Sequence, residues 1–141
     1  MIFSTKNCII HLLKKNFRKY RYDDVKKPKV KEICEIISNS NLQKNKDYSF
    51  EDLYKLIPKE LKNKFKEEFY DAVFILASRR RSILKQGFKV LKDGRFRKYP
   101  HESEIVEMLR NEDYTNPLTG EYFGNDVEKF SKVVITYFDV L

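Results

Sequence analysis

The chain has no tryptophan, two cysteines, two histidines and four glycines in 141 residues. Cys8 and Cys34 are too few and too far apart to be a disulfide framework, and this points to a reducing compartment. His11 and His101 are the only histidines. Cys8 and His11, taken with Cys34 and His101, match no standard ligand spacing, so no metal is expected. Four glycines supply neither a phosphate-binding loop nor a nucleophile elbow. No apolar run approaches the about 18 residues of a spanning helix. Without tryptophan or a long apolar face, a membrane-surface helix is disfavoured too.

What the chain has is charge, unevenly placed. Residues 1–99 hold 26 Lys and Arg against 12 Asp and Glu, a net of +14, and residues 100–141 hold 3 against 9, a net of −6. A basic body with an acidic end points to nucleic acid or a membrane surface. The apolar content of 41% and aromatic content of 14% argue against wholesale disorder. The first 22 residues carry six basic residues and no acid, a transit-peptide-like composition. A basic arm or helix over residues 1–24 is the preferred reading. In it Arg18, Lys19 and Arg21 alternate with Phe17, Tyr20 and Tyr22, a strip able to grip phosphates and stack bases. The plainer reading makes Phe17 and Tyr20 core contacts of an amphipathic helix over residues 7–20.

A helical domain is expected over residues 25–100. Val30, Ile33, Cys34 and Ile37 form the buried stripe of a helix over 29–38. Ser49, followed by Glu51 and Asp52, caps a second helix to about Leu56. Leu61, Phe65, Phe69, Ala72, Val73 and Leu76 keep helical spacing, predicting a third helix over 59–85 that Gly87 ends. Asp93-Gly94 then makes a two-residue turn in a hairpin over 88–99. Residues 101–141 form an acidic helical segment packed on the same domain. It has a helix near 102–111, a turn at Asn116-Pro117-Leu118-Thr119-Gly120 with Tyr122 and Phe123 as core anchors, and a last element capped by Asp126. That last element is taken as a helix, although Val133 to Phe138 is also rich in strand formers. The expected fold is mainly α with one β-hairpin, an α+β chain whose element order resembles a winged helix.

The densest charge lies between Ser78 and Pro100. Arg79, Arg80, Arg81, Lys85, Lys89, Lys92, Arg95, Arg97 and Lys98 stand there against Asp93 alone. With a turn at Asp93-Gly94, Lys92 faces Arg95, Leu91 faces Phe96, Lys89 faces Lys98 and Phe88 faces Tyr99. Each like-charge pair costs up to about 1 kcal/mol, a cost that a phosphate backbone would remove. The arginines suit phosphate or guanine contacts through their planar fork.

The preferred function is therefore an intracellular nucleic-acid-binding regulatory or accessory protein, with duplex DNA preferred over RNA and no cofactor. The alternative is a protein-interaction module, such as a viral or phage host-modulating protein, whose basic face docks on an acidic or nucleic-acid-binding partner. The acidic C-terminal segment, with Glu112, Asp113, Glu121 and Asp126 around its turn, is the place for a protein partner. Enzyme readings are weaker. His101-Glu102-Ser103-Glu104 resembles a catalytic cluster only superficially, since its glutamates favour a helix N-terminus. Glu67, Glu68 and Asp71 would serve a small metal-dependent nuclease, but on a helix they read as a solvated face.

Overall fold

The computed structural model describes residues 27–77 and 83–141. In chain order the elements are α1 (Pro28–Ser38), β1 (Asp47–Tyr48), α2 (Phe50–Tyr54), α3 (Lys66–Leu76), β2 (Leu84–Lys92), β3 (Arg95–Tyr99), α4 (Glu102–Asn111), β4 (Tyr114–Thr115), β5 (Tyr122–Gly124), α5 (Val127–Ser131) and β6 (Val134–Val140). β1, β6, β2 and β3 form an antiparallel sheet in that order, and β4 pairs with β5. The described chain is 38% helix and 25% strand, so the expectation of a mainly α fold with a single hairpin is overturned. No helix among the described residues is long and apolar enough to cross a membrane.

The described residues divide into two compact units. One takes in residues 27–77, 83–86 and 138–141, the other residues 87–137. In the first unit, α1 buries Val30, Ile33 and Ile37 completely, as its spacing predicts, while Cys34 is half-buried. Pro28 opens it at a first-turn position, where a missing N–H costs nothing. α2 starts on a reciprocal capping box. The Ser49 Oγ accepts from the Asp52 amide at 3.1 Å, and the Asp52 carboxylate accepts from the Ser49 amide at 3.0 Å, an arrangement worth about 1 kcal/mol.

The predicted helix over 59–85 is much shorter. Residues 59–65 form turns, and Asn63 sits in the left-handed region at φ 69°. Asparagine tolerates that conformation better than most residues, and the backbone N–H of Asn63 donates to the Tyr54 hydroxyl at 2.9 Å. α3 then runs only from Lys66 to Leu76. Every residue from Phe69 to Leu76 is buried, so Asp71 belongs to the interior rather than to a solvated face. Phe50 sits at the centre of the aromatic core, edge-on to Tyr70 at 5.2 Å, Phe74 at 5.5 Å and Phe138 at 4.9 Å. Such pairs add about 0.5–1.5 kcal/mol each beyond the area they bury.

This burial removes the winged-helix expectation. A recognition helix must present one face to a groove, and the second half of α3 has none to offer. Gly87 is likewise not a helix end but the fourth residue of β2. The chain from Leu84 to Val90 alternates, with Leu84, Phe88 and Val90 buried, which is the period of a strand. The C-terminal segment also ends in a strand rather than the expected helix. β6 pairs with β1, placing Tyr48 opposite Phe138.

In the second unit, α4 spans the predicted residues and buries Ile105 and Leu109. The turn after β4 is held by Asn116, whose Oδ1 accepts from the Leu118 and Thr119 amides. Gly120 closes it at φ 77°, where a side chain would be strained. Asp126 caps α5 by accepting from the Glu128 and Lys129 amides, each at 3.1 Å. Tyr114 and Phe130 stack at 4.7 Å in the core of this unit. Tyr122 is not the core anchor that its place beside the turn suggests. It is 68% exposed, and its hydroxyl donates to Asp113 at 2.6 Å.

Candidate nucleic-acid interface

The basic hairpin forms with the register its sequence predicts. Phe88 pairs with Tyr99, Lys89 with Lys98, Val90 with Arg97, Leu91 with Phe96 and Lys92 with Arg95. Asp93 and Gly94 both take positive φ, 52° and 78°, as a tight two-residue hairpin turn requires. β3 is an edge strand, and its residues from Arg95 to Lys98 are all exposed.

Alternation sorts the side chains onto two faces. Arg95, Arg97 and Lys92 share one with the buried Phe88 and Val90. Lys89, Lys98, Leu91 and Phe96 share the other. Lys92, Arg95 and Arg97 form no ion pair with any described residue. The directly opposed Lys92 and Arg95 thus carry their mutual repulsion without an acid to relieve it, a cost of up to about 1 kcal/mol.

The Lys89–Lys98 pair differs from the sequence expectation. Both ammoniums lie over the ring of Tyr137, Lys89 Nζ at 5.2 Å and Lys98 Nζ at 4.9 Å from its centroid. The electron-rich ring face attracts both cations, so no external anion is needed to account for this pair. Gly87 makes the arrangement possible. A Cβ at position 87 would stand 2.6 Å from Tyr137 Cζ, so the ring lies flat across the glycine and reaches toward β3. Hydrogen bonds near it link β2 to β6 and to Val133, the residue before β6. The Thr136 hydroxyl donates to the Gly87 carbonyl at 3.0 Å, and the Leu91 amide donates to the Val133 carbonyl at 2.8 Å.

Where the hairpin passes into α4, the charge changes sign. The Tyr99 hydroxyl donates to Glu104 at 2.6 Å. This hydrogen bond, with partial burial and the charge of Glu104, pushes the phenol above its ordinary value. Glu102 and Glu104 occupy the first turn of α4, where the helix dipole favours acids. Tyr122 is raised similarly by its hydrogen bond to Asp113. Tyr114 is raised first by burial and then by Glu112.

Of the residues the sequence singles out, Lys89, Lys92, Arg95, Arg97 and Lys98 come together in the unit of residues 87–137. Lys85 is exposed on the part of β2 belonging to the other unit. Arg79, Arg80, Arg81, Arg18, Lys19 and Arg21 lie outside the described residues, as do the predicted helix over 7–20, Cys8 and His11. Among the described residues, no three His, Cys, Asp or Glu side chains converge on a metal-sized site. Sequence reasoning missed two features of the hairpin: the Tyr137 ring beneath the lysine pair, and the exposure of Phe96, 38% accessible on a strand of charged residues.

Comparison with family models, curated proteins and solved structures found no match.

Proposed function

We propose that this protein binds nucleic acid through the β2–β3 hairpin, as a non-enzymatic regulatory or accessory protein inside the cell. The observation that carries the reading is the exposed edge strand β3, whose Arg95 and Arg97, with Lys92 opposite, present cations unpaired by any described acid. Charged edge strands also serve to block self-association. That role alone would not call for an exposed phenylalanine between the two arginines of the strand. Contacts of this kind grip phosphates and supply affinity without sequence choice. The preference for duplex DNA no longer has a groove-reading helix behind it, since phosphate contacts serve a duplex and a single strand alike.

The test is the double substitution Arg95→Glu with Arg97→Glu. Both side chains are exposed, so the fold should survive. Affinity for nucleic acid should fall by at least an order of magnitude at low salt. Unchanged affinity in the folded variant takes the hairpin out of the interface.

A second reading has its own observation. Leu118 and Tyr122, exposed at 46% and 68%, project from the β4–β5 hairpin among acidic residues. That surface suits a protein partner rather than nucleic acid. Substituting both residues by alanine should abolish such docking and leave nucleic-acid binding intact.

A further inference from the structure

We infer that the hairpin takes single-stranded nucleic acid, with Phe96 stacking against an unpaired base and the Lys89–Lys98 pair holding the neighbouring phosphate. This rests on the nucleic-acid reading above and specifies its substrate.

The second face of the hairpin supplies the site. Phe96 is exposed as the second residue of β3, directly opposite the half-buried Leu91. Leu91 thus flanks the ring across the strand pair, and part of the Phe96 side chain remains open to solvent. Lys98 lies two residues further along the same face, about 7 Å away by strand geometry. Lys89 is directly opposite Lys98. An exposed ring and a lysine pair on one face of the hairpin suit a nucleic-acid strand, with a base on the ring and a phosphate of the same strand at the ammoniums. Base-on-aromatic stacking of this sort tolerates any base, because each has a π face.

The lysines are placed rather than free to wander. Tyr137 holds both ammoniums beside its ring, and Gly87 lets that ring lie against the strand. The charge is therefore arranged before the ligand arrives, which lowers the ordering cost of binding. A duplex keeps its base faces stacked inside the helix, and phosphate contact alone needs no aromatic. An exposed phenylalanine amid cations fits a strand whose bases are available.

The experiment uses the full chain with a labelled oligothymidylate and a duplex of equal length, each at low and moderate salt. Phe96→Ala should weaken single-strand binding by about 5- to 150-fold, the range of one lost stacking contact. It should leave duplex affinity and the salt slope unchanged. Because the chain has no tryptophan, Phe96→Trp puts a single tryptophan at the site, excited apart from the tyrosines, and the variant should bind the single strand and be quenched by it. The tryptophan variant also serves if the alanine variant fails to fold. If the wild type binds no nucleic acid at any salt, the hairpin reading itself fails. Binding that Phe96→Ala does not alter, with the fluorescence of the Phe96→Trp variant unmoved by the single strand, leaves the hairpin reading standing and overturns this one. An equal loss on duplex and single strand overturns it too, since Phe96 would then be supporting the hairpin rather than a base.

Discussion

Gly87→Ala should destabilise the protein although a strand normally welcomes alanine in place of glycine. The new Cβ would stand 2.6 Å from Cζ and Oη of Tyr137 and 2.8 Å from Cε1, distances that carbon does not sustain. Tyr137 is 8% exposed and carries two ammoniums over its ring, so lifting it disturbs packing and charge together. Overpacking of a well-filled site costs about 1–3 kcal/mol. Loosening the two cation–π contacts adds about 0.5–1 kcal/mol each. Against this, alanine restricts the unfolded chain and returns about 0.4–1 kcal/mol, because Gly87 needs no left-handed conformation. The net is a loss of about 3 kcal/mol, within a range of about 1 to 5. Urea unfolding reads it as a midpoint lowered by about 1.5 M at unchanged slope, given typical slopes of about 1–3 kcal/mol/M. Repeating Gly87→Ala in a Tyr137→Ala background isolates the ring. There the substitution should be neutral or slightly stabilising, giving a coupling of about 3 kcal/mol between positions that touch. A wild-type midpoint in Gly87→Ala, or the same loss in both backgrounds, refutes the reasoning.

Two further expectations follow from the acidic segment and its tyrosines. Neutralising Glu102, Glu104, Glu112 and Asp113 should raise nucleic-acid affinity at low salt if these acids screen the hairpin, and a gel-shift series shows an unchanged or lowered affinity if they do not. Tyr99, raised by Glu104 above the ordinary 10.0, should ionise later than an unperturbed tyrosine in an absorbance titration. Its neutral form is the one the fold favours, so the contribution is whole below the unfolded value and fades as pH rises through the folded one. Glu104→Gln should bring this ionisation back toward the ordinary value, and its stability should converge on the wild type only above about pH 10. A titration unmoved by that substitution removes the hydrogen bond as the cause.

The sequence was most legible where a short segment decides its own geometry. Asp93-Gly94 sets the turn, and a two-residue turn fixes every facing pair from Lys92–Arg95 to Phe88–Tyr99. Ser49 with Asp52 forms the cap its residue types favour, and Val30, Ile33 and Ile37 are buried at helical spacing. It misled where distant partners choose between local options. Leu61, Phe65 and Phe69 keep helical spacing, yet Asn63 turns the chain between them at φ 69°. Gly87 after a helical run looks like a helix end, and only the opposite strand reveals it as the bed for Tyr137. Val134 to Phe138 could have been helix or strand, and pairing with β1 resolves it as strand. The hairpin cations were visible in the sequence as a charge run. The sequence could not show that Tyr137 partners two of them, nor that Phe96 faces outward, because both depend on which face of the sheet is covered.

The most direct test of the central claim is the salt dependence of wild-type binding to nucleic acid of unrelated sequences. Lys89, Lys92, Arg95, Arg97 and Lys98 lie on two faces of one hairpin, so about four phosphate contacts at once is a reasonable reach. Counterion release then gives a slope of log K against log salt of about −3 on a single strand and about −4 on a duplex. The slope should vary little between sequences, and Lys92→Ala should flatten it by about one. Binding that is absent at low salt, or that persists with a flat slope, would contradict phosphate recognition by this hairpin and turn the basic edge toward a protein partner.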